Sequence, residues 1–215
     1  MKFRDVCIIR IMDILAALAL LPAALLIFVL LLLPQLAVFG KIFYLSRRIG
    51  REGKPFTYVK LKSMRDQETP VPSGGGRAHL EAKRIPPWGR FLRKLHIDEI
   101  PDILLILIGT ESFVGPRPLL AEHAALVDSP ERRNLKPGWT GLSQVFLKRR
   151  KILPSRIQRR LDKRLGRELC PALYCRILFA TAASPSRRGG MKPGPTVRAY
   201  RNSLADSEES ERDTK

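Results

Sequence analysis

Two adjacent carboxylates, Asp98 and Glu99, lie in a basic, apolar stretch, and Pro101 follows within one helical turn. Proline is tolerated at a helix start, so the apolar run from Ile100 to Ile108 predicts a helix that is buried in protein or touches lipid. Asp98 then falls near its N-cap. Aspartate is a favoured cap residue, and that role alone accounts for an acid there. The position also suits chemistry. A helix N-terminus stabilises anions, and an ionised Asp can attack phosphorus to form an acyl phosphate. A diphosphate repels such a nucleophile, and Mg2+ with arginines would offset the repulsion.

Oxygen ligands suit Mg2+, and no His/Cys cluster offers a rival metal site. His79, His96 and His123 show no ligand spacing and read as surface or packing residues. Cys7, Cys170 and Cys175 are odd in number and fit no zinc pattern. They read as small buried thiols of a reducing compartment. Arg117 lies in Gly115-Pro116-Arg117-Pro118, where the flanking prolines restrict the backbone and aim the guanidinium. Arginine grips phosphate oxygens in a bidentate way. By itself the tetrapeptide is only a rigid turn with an exposed Arg.

The surrounding charge favours anionic partners. The chain has 215 residues and a formal net charge of +19. Nucleic acid and anionic lipid with phosphorylated substrates both satisfy such an excess. The N-terminal segment makes lipid the more economical partner. No charged residue occurs from Ile14 to Phe39, which is long enough to cross a bilayer. It exceeds the apolar core of a cleaved signal peptide. Pro22 sits mid-run, where it removes a backbone donor and kinks a helix. Lys2, Arg4 and Arg10 precede the run, and Lys41, Arg47, Arg48, Arg51 and Lys54 follow it. Basic flanks favour the cytoplasmic side. A helix bent near Pro22 that returns to its own leaflet satisfies both flanks, and a straight span satisfies one.

Beyond the run, strand signals at Ile42–Tyr44 and Phe56–Val59, split by Gly50 and Gly53, predict a hairpin. Gln67–Gly76 reads as a polar loop. Leu119–Val127 reads as helical. Ser155–Leu169 reads as a basic amphipathic helix, with Leu153, Ile157, Leu161 and Leu165 every four residues. It suits a membrane surface, or a solvated face over a protein core. Leu173–Ala183 predicts a second apolar helix, and Ser203–Lys215 should be disordered.

Five segments occur in an order that resembles the bacterial sugar transferase family, the monotopic polyprenyl-phosphate phosphoglycosyl transferases that begin glycan assembly. They are Arg10–Asp13 with the apolar run and Pro22; Arg48–Gly50 through Lys60–Met64; Arg93 through Ile97–Pro101; Ser112–Pro118; and Lys136–Gln144. The resemblance implies an α-rich α+β fold: a re-entrant membrane helix kinked at Pro22 and a small cytoplasmic catalytic domain with a short β-hairpin and interfacial amphipathic helices. The expected division is residues 1–40 for the membrane helix, 41–185 for the catalytic domain and 186–215 for a polar tail. It implies a Mg2+-dependent exchange at the cytoplasmic face of a bacterial inner membrane. Asp98 is then the nucleophile and a metal contact, and Glu99 its catalytic partner. Arg117 binds phosphate, with Lys60 and Arg93 as further candidates for the anionic site. The implied partners are a UDP-sugar donor, a polyprenyl phosphate acceptor and membrane lipid, with no specific nucleic acid; a homo-oligomer is left open.

Several positions depart from the family pattern. Leu21 precedes Pro22 where Ser is common, and Ser46 stands where Gln is usual. Thr110-Glu111-Ser112 replaces Asp-Met-Ser, and Phe146-Leu147-Lys148 replaces Asn-Gly-Arg; of a later Asp-x-Tyr-Tyr-Val pattern only Asp162 survives. Asp98, Glu99 and Arg117 are intact. The alternatives are a catalytically impaired relative that scaffolds glycan assembly at the membrane, and a tethered nucleic-acid binder. The latter lacks interleaved stacking aromatics and any familiar nucleic-acid motif.

Overall fold

An apolar helix, α1, runs over Phe3–Phe39 with Pro22 and Pro34 inside it, and ends at Gly40 in the left-handed region (φ 63°). Its most apolar stretch has a mean hydropathy of 3.0. The computed structural model describes residues 2–66, 84–121, 124, 128–147 and 155–183. The expected polar loop at 67–76, His79, His123, most of the 119–127 helix, Lys148 and the tail lie outside them.

The predicted hairpin forms. Strands β1 (Phe43–Ile49) and β2 (Pro55–Leu61) pair antiparallel, with Ser46 opposite Tyr58 and Tyr44 opposite Lys60. The tip is a 3-10 turn at Arg51–Gly53. Helix α2 (Pro87–Leu95) and helix α3 (Asp102–Ile108) follow. Two short strands, β3 (Ser112–Val114) and β4 (Gly138–Thr140), pair in parallel. Between them lies the one-turn helix α4 (Pro130–Arg133). Helices α5 (Leu142–Leu147), α6 (Ser155–Glu168) and α7 (Pro171–Ala182) complete the described fold. It is helix-rich with a long apolar N-terminal helix and two small two-stranded sheets.

One hydrophobic cluster joins these elements. It includes Ile9, Ala17 and Ala24 of α1, Ile103 and Ile106 of α3, Phe113 and Val114 of β3, and Leu173 and Ile177 of α7. Leu161 and Leu165 of α6 belong to the same cluster. The leucine stripe of this basic helix therefore faces protein, and its arginines line the outer side. Burying each such leucine contributes about 2 kcal/mol, which explains the choice. The cysteines correct the expectation of buried thiols. Cys7 and Cys175 are exposed, Cys170 is half-buried, and all three are free. Cys7 and Cys175 sit on outer faces of two apolar helices, where a small apolar side chain fits without being enclosed.

Both halves of α1 are fastened to the rest of the chain by buried polar groups. The Asp13 Oδ1 accepts from the Ser112 hydroxyl (3.0 Å), the Phe113 N–H (3.0 Å) and the Tyr174 hydroxyl (2.8 Å). Arg10 donates to the carbonyls of Ile106 and Leu107 at the end of α3. Near the other end, the Gln35 amide donates to the Ile42 and Lys62 carbonyls and accepts from the Trp88 indole. Asp13 and Gln35 are each 1% exposed. Between these fastenings Leu25, Leu26, Val29, Leu30 and Leu33 stay exposed.

Candidate active site

Helix α2 ends at His96, which adopts the left-handed conformation (φ 57°) and turns its N–H back to the Arg93 and Leu92 carbonyls. This reversal leads into a single 3-10 turn, Ile97–Glu99, that carries both carboxylates. Helix α3 begins only at Asp102, with Pro101 as an N-cap that makes no side-chain cap bond. The expected cap position for Asp98 is therefore corrected: it sits one turn ahead of the helix. Pro101 lacks an N–H, so the helical ladder starts after it.

Asp98 is 6% exposed, and no hydrogen bond reaches its carboxylate among the described residues. Burial pushes its pKa up; the Lys60 charge opposes this, Glu99 adds to it, and Arg93 and His96 oppose it. The net position is above the ordinary aspartate value. Glu99 behaves oppositely. Burial raises it, but Lys60, the Trp139 indole and the Arg117 charge outweigh burial and hold it below the usual range. Its Oε1 forms an ion pair with the Lys60 ammonium, and its Oε2 accepts from Trp139 Nε1 at 3.0 Å. Neighbouring acids pushed apart in this way take different roles. Glu99 is a fixed anion held by donors, whereas Asp98 presents oxygens that no protein donor occupies.

Behind this pair the hairpin supplies a second layer. The Tyr58 hydroxyl donates to Asp102 Oδ2 at 2.9 Å. The Lys60 ammonium and the Arg48 guanidinium lie 5.2 and 5.3 Å from the Tyr58 ring centre, within cation–π range. Burial, then the Glu99 charge, raises Asp102 to about 7. Burial, then Asp102 and Glu99, raises Glu111 to about 9. Glu111 is 0% exposed. Neither of its oxygens, nor Asp102 Oδ1, has a hydrogen-bond partner among the described residues.

The Gly115–Pro118 turn is clamped through its carbonyls. Arg132 donates to the Arg117 carbonyl at 2.6 Å, Arg48 to the Pro118 carbonyl at 3.1 Å, and the Ile49 N–H to the Leu119 carbonyl at 2.9 Å. Arg132 is itself paired with the fully buried Asp162 of α6. The turn crosses β4 so closely that a Cβ on Gly138 would overlap the Gly115 backbone. The Arg117 side chain is thus exposed on a rigid backbone, with its charge felt at Glu99.

Lys60 pairs with Glu99 and its charge also reaches Asp98, while Arg117 is felt at Glu99 through its charge. Arg93, exposed in the last turn of α2, acts on Asp98 from its edge. Sequence reasoning gave no role to Trp139, Tyr58, Asp102 or Arg132. Trp139 and Tyr58 were the most accessible, since both lie inside matched segments, Lys136–Gln144 and Arg48–Met64. Among the described residues, no group of three or more His, Cys, Asp or Glu is set to hold a metal. Mg2+ is usually held by one or two carboxylates together with water and substrate phosphates. The buried Asp98 carboxylate, clear of protein donors, fits that partial role. The arrangement offers one available anionic oxygen beside fixed cations, which suits capture of a phosphoryl group.

Comparison with known proteins gives the same direction. Residues 4–188 match the family model described as bacterial sugar transferase. The chain is 37% identical over 113 residues to an uncharacterized sugar transferase, EpsL, of Bacillus subtilis, covering 52% of this chain and 54% of that protein. It is 37% identical over 114 residues to a UDP-glucose:undecaprenyl-phosphate glucose-1-phosphate transferase of Xanthomonas campestris, covering 49% of this chain and 23% of that protein. It is 34% identical over 152 residues to the exopolysaccharide production protein ExoY of Rhizobium meliloti, covering 63% and 67% respectively. The match therefore spans about half of the first relative's length and about a quarter of the second's. With a family match that runs through the hairpin, the carboxylate turn and the clamped arginine, this chain belongs to the bacterial sugar transferase family.

Proposed function

We propose that the chain transfers a sugar 1-phosphate from a UDP-sugar to polyprenyl phosphate through a covalent intermediate on Asp98. The observation that carries this is the buried Asp98 carboxylate, left without a hydrogen-bond donor among the described residues, beside a Glu99 that Lys60 and Trp139 hold ionised. The names of relatives such as the Xanthomonas enzyme supply the substrate class. An Asp98 oxygen attacks the donor's β-phosphorus. The bond from that phosphorus to the bridging oxygen breaks, and UMP leaves with the electron pair. A phosphate oxygen of the acceptor then attacks the same phosphorus, the Asp98 acyl-phosphate bond breaks, and the carboxylate is restored. Arg117 and Lys60 offset the diphosphate charge, and Arg93 guards the Asp98 side. Mg2+ contacted by Asp98 would neutralise further phosphate charge.

The same reading places the protein at the cytoplasmic face of a bacterial inner membrane, with residues 1–40 as a re-entrant element bent near Pro22, 41–185 as the catalytic domain and 186–215 as a polar tail. The support is the fastening of both halves of α1 to one body, through Asp13 and through Gln35. A continuous straight helix of this length would measure about 55 Å, well beyond a hydrocarbon core of about 30 Å. Leu104 and Ile108 of α3 and Phe179 of α7 are exposed and would meet lipid beside it.

The test is release of UMP from a panel of UDP-sugars by detergent-purified protein with Mg2+ and polyprenyl phosphate. Asp98→Asn should abolish release and the radiolabelled phosphosugar adduct while keeping the wild-type unfolding temperature. Turnover retained by that variant removes the assigned nucleophile. A silent but well-folded wild type that still captures glycan-assembly partners supports the scaffold alternative, which the departures at Ser46, Thr110, Phe146 and Leu147 motivate.

A further inference from the structure

We infer that a pair of cations at the C-terminal end of α3, Arg10 and Lys136, binds the phosphate of an anionic membrane phospholipid at a site separate from the carboxylates. Arg10 belongs to α1, and Lys136 leads into β4. A Cβ on Gly109 would lie 3.2 Å from Arg10 Nη2 and 3.3 Å from Lys136 Nζ. Gly109 itself ends α3 in the left-handed region (φ 87°). Three segments far apart in the chain thus meet at one bare glycine and bring two like charges together over it.

The charge at this meeting point is not balanced. Arg10 donates to the Ile106 and Leu107 carbonyls at 2.6 and 2.7 Å. Those carbonyls carry the negative end of the helix dipole but no full charge. The Lys136 ammonium has no hydrogen bond or ion pair among the described residues. Burial, then the Arg10 charge, holds Lys136 below the ordinary lysine pKa; Asp13 opposes this and Arg51 adds to it. Asp13 already serves Ser112, Phe113 and Tyr174, and Arg51 is paired with Glu52. Like charges this close repel. One phosphate whose oxygens accept from both cations would remove the repulsion.

The surroundings select a phosphate that carries an apolar chain. Arg10, Gly109 and Lys136 are each half-buried, so a ligand can reach the pair from outside. On α3 the neighbouring Leu104 and Ile108 are exposed. Arg10 stands just before the uncharged run that begins at Ile14, the depth of the headgroups for a helix that enters a bilayer there. The acceptor phosphate is not the favoured occupant. Helix α3 spans seven residues, about 10 Å of helix, and Asp98 lies beyond its opposite end. A phosphate held at Gly109 is out of reach of a phosphorus on Asp98. The site therefore anchors and does not react: it ties α1, α3 and the start of β4 to the headgroup layer.

The experiment titrates dioctanoyl phosphatidylglycerol, dioctanoyl phosphatidylcholine, farnesyl phosphate and inorganic phosphate separately into the full chain in uncharged detergent, read by calorimetry. Lys136→Gln and Lys136→Met remove the charge, and Lys136→Arg keeps it. A double variant, Arg156→Gln with Arg159→Gln, removes two exposed charges from α6 as a control for net charge. Wild type should bind phosphatidylglycerol more tightly than phosphatidylcholine or inorganic phosphate. The neutral Lys136 variants should weaken phosphatidylglycerol about tenfold or more, while Lys136→Arg and the α6 variant stay within about twofold of wild type. Because the neutral variants remove a half-buried, unpaired charge, their unfolding temperatures without lipid should match or exceed that of wild type. Wild-type affinity in both neutral variants overturns the assignment, as does a wild type that does not bind phosphatidylglycerol. An equal fall in the α6 variant overturns it as a generic charge effect. Inorganic phosphate binding as tightly as the lipid removes the lipid from the site, and farnesyl phosphate binding more tightly than phosphatidylglycerol overturns the assignment in favour of the acceptor.

Discussion

Replacing Glu111 with glutamine should stabilise the protein, and by an amount that grows with pH. Glu111 is wholly enclosed, and its two oxygens have no hydrogen-bond partner among the described residues. Burial, then the Asp102 and Glu99 charges, raises its pKa from 4.5 to about 9. The folded state therefore keeps this proton at neutral pH while the unfolded chain releases it. Because the folded pKa is the higher one, stability is greatest below 4.5 and falls as pH rises from 4.5 towards 9. Each pH unit in that window costs about 1.4 kcal/mol, so at pH 7 the penalty is roughly 3 kcal/mol. Asp102, raised to about 7, shares the same direction. Glutamine resembles the protonated acid and never ionises, so it removes the penalty without changing the shape. Urea unfolding in detergent micelles from pH 5 to pH 9 provides the assay. Wild type and Glu111→Gln should nearly coincide at pH 5 and diverge steadily above it. Parallel curves across that range would refute a buried, protonated Glu111.

Two further substitutions probe the frame around the site. Asp13→Ala strips the shared acceptor from Ser112, Phe113 and Tyr174, and should cost about 3 kcal/mol or more, read as a lower urea midpoint. A shift under about 1 kcal/mol would mean those donors find new partners. Gly138→Ala introduces a Cβ into the Gly115 backbone and should lower stability by about 3 kcal/mol or more. Limited proteolysis near Arg117 would detect the loosened turn, and a wild-type digestion pattern would contradict the close crossing.

Local pattern served well where the chain's own geometry decides the outcome. The hairpin follows from alternating strand residues and two glycines, and the resulting register carries Lys60 to Glu99. The Asp-Glu pair and the proline-flanked arginine were legible because their chemistry resides in adjacent residues. What escaped depends on partners far along the chain. Trp139 meets Glu99 across 40 positions and Tyr174 meets Asp13 across 161. In sequence, Glu111 sits in a polar turn, and only the arrival of the hairpin and α3 encloses it. The basic helix α6 was ambiguous for a related reason. Its leucine spacing fits lipid and protein equally, and Arg132 with Asp162 decides for protein by tying α4 to its inner face.

The double fastening of α1 has a practical consequence for anyone wishing to handle the catalytic part in plain buffer. Trimming the greasy helix away would strand the Tyr174 hydroxyl, the Phe113 N–H and the Trp88 indole without their acceptors. It would also unroof Ile103 and Ile106, which share a cluster with Ile9, Ala17 and Ala24. The helix is a wall of the house as well as its mooring, and a shortened version should precipitate rather than dissolve.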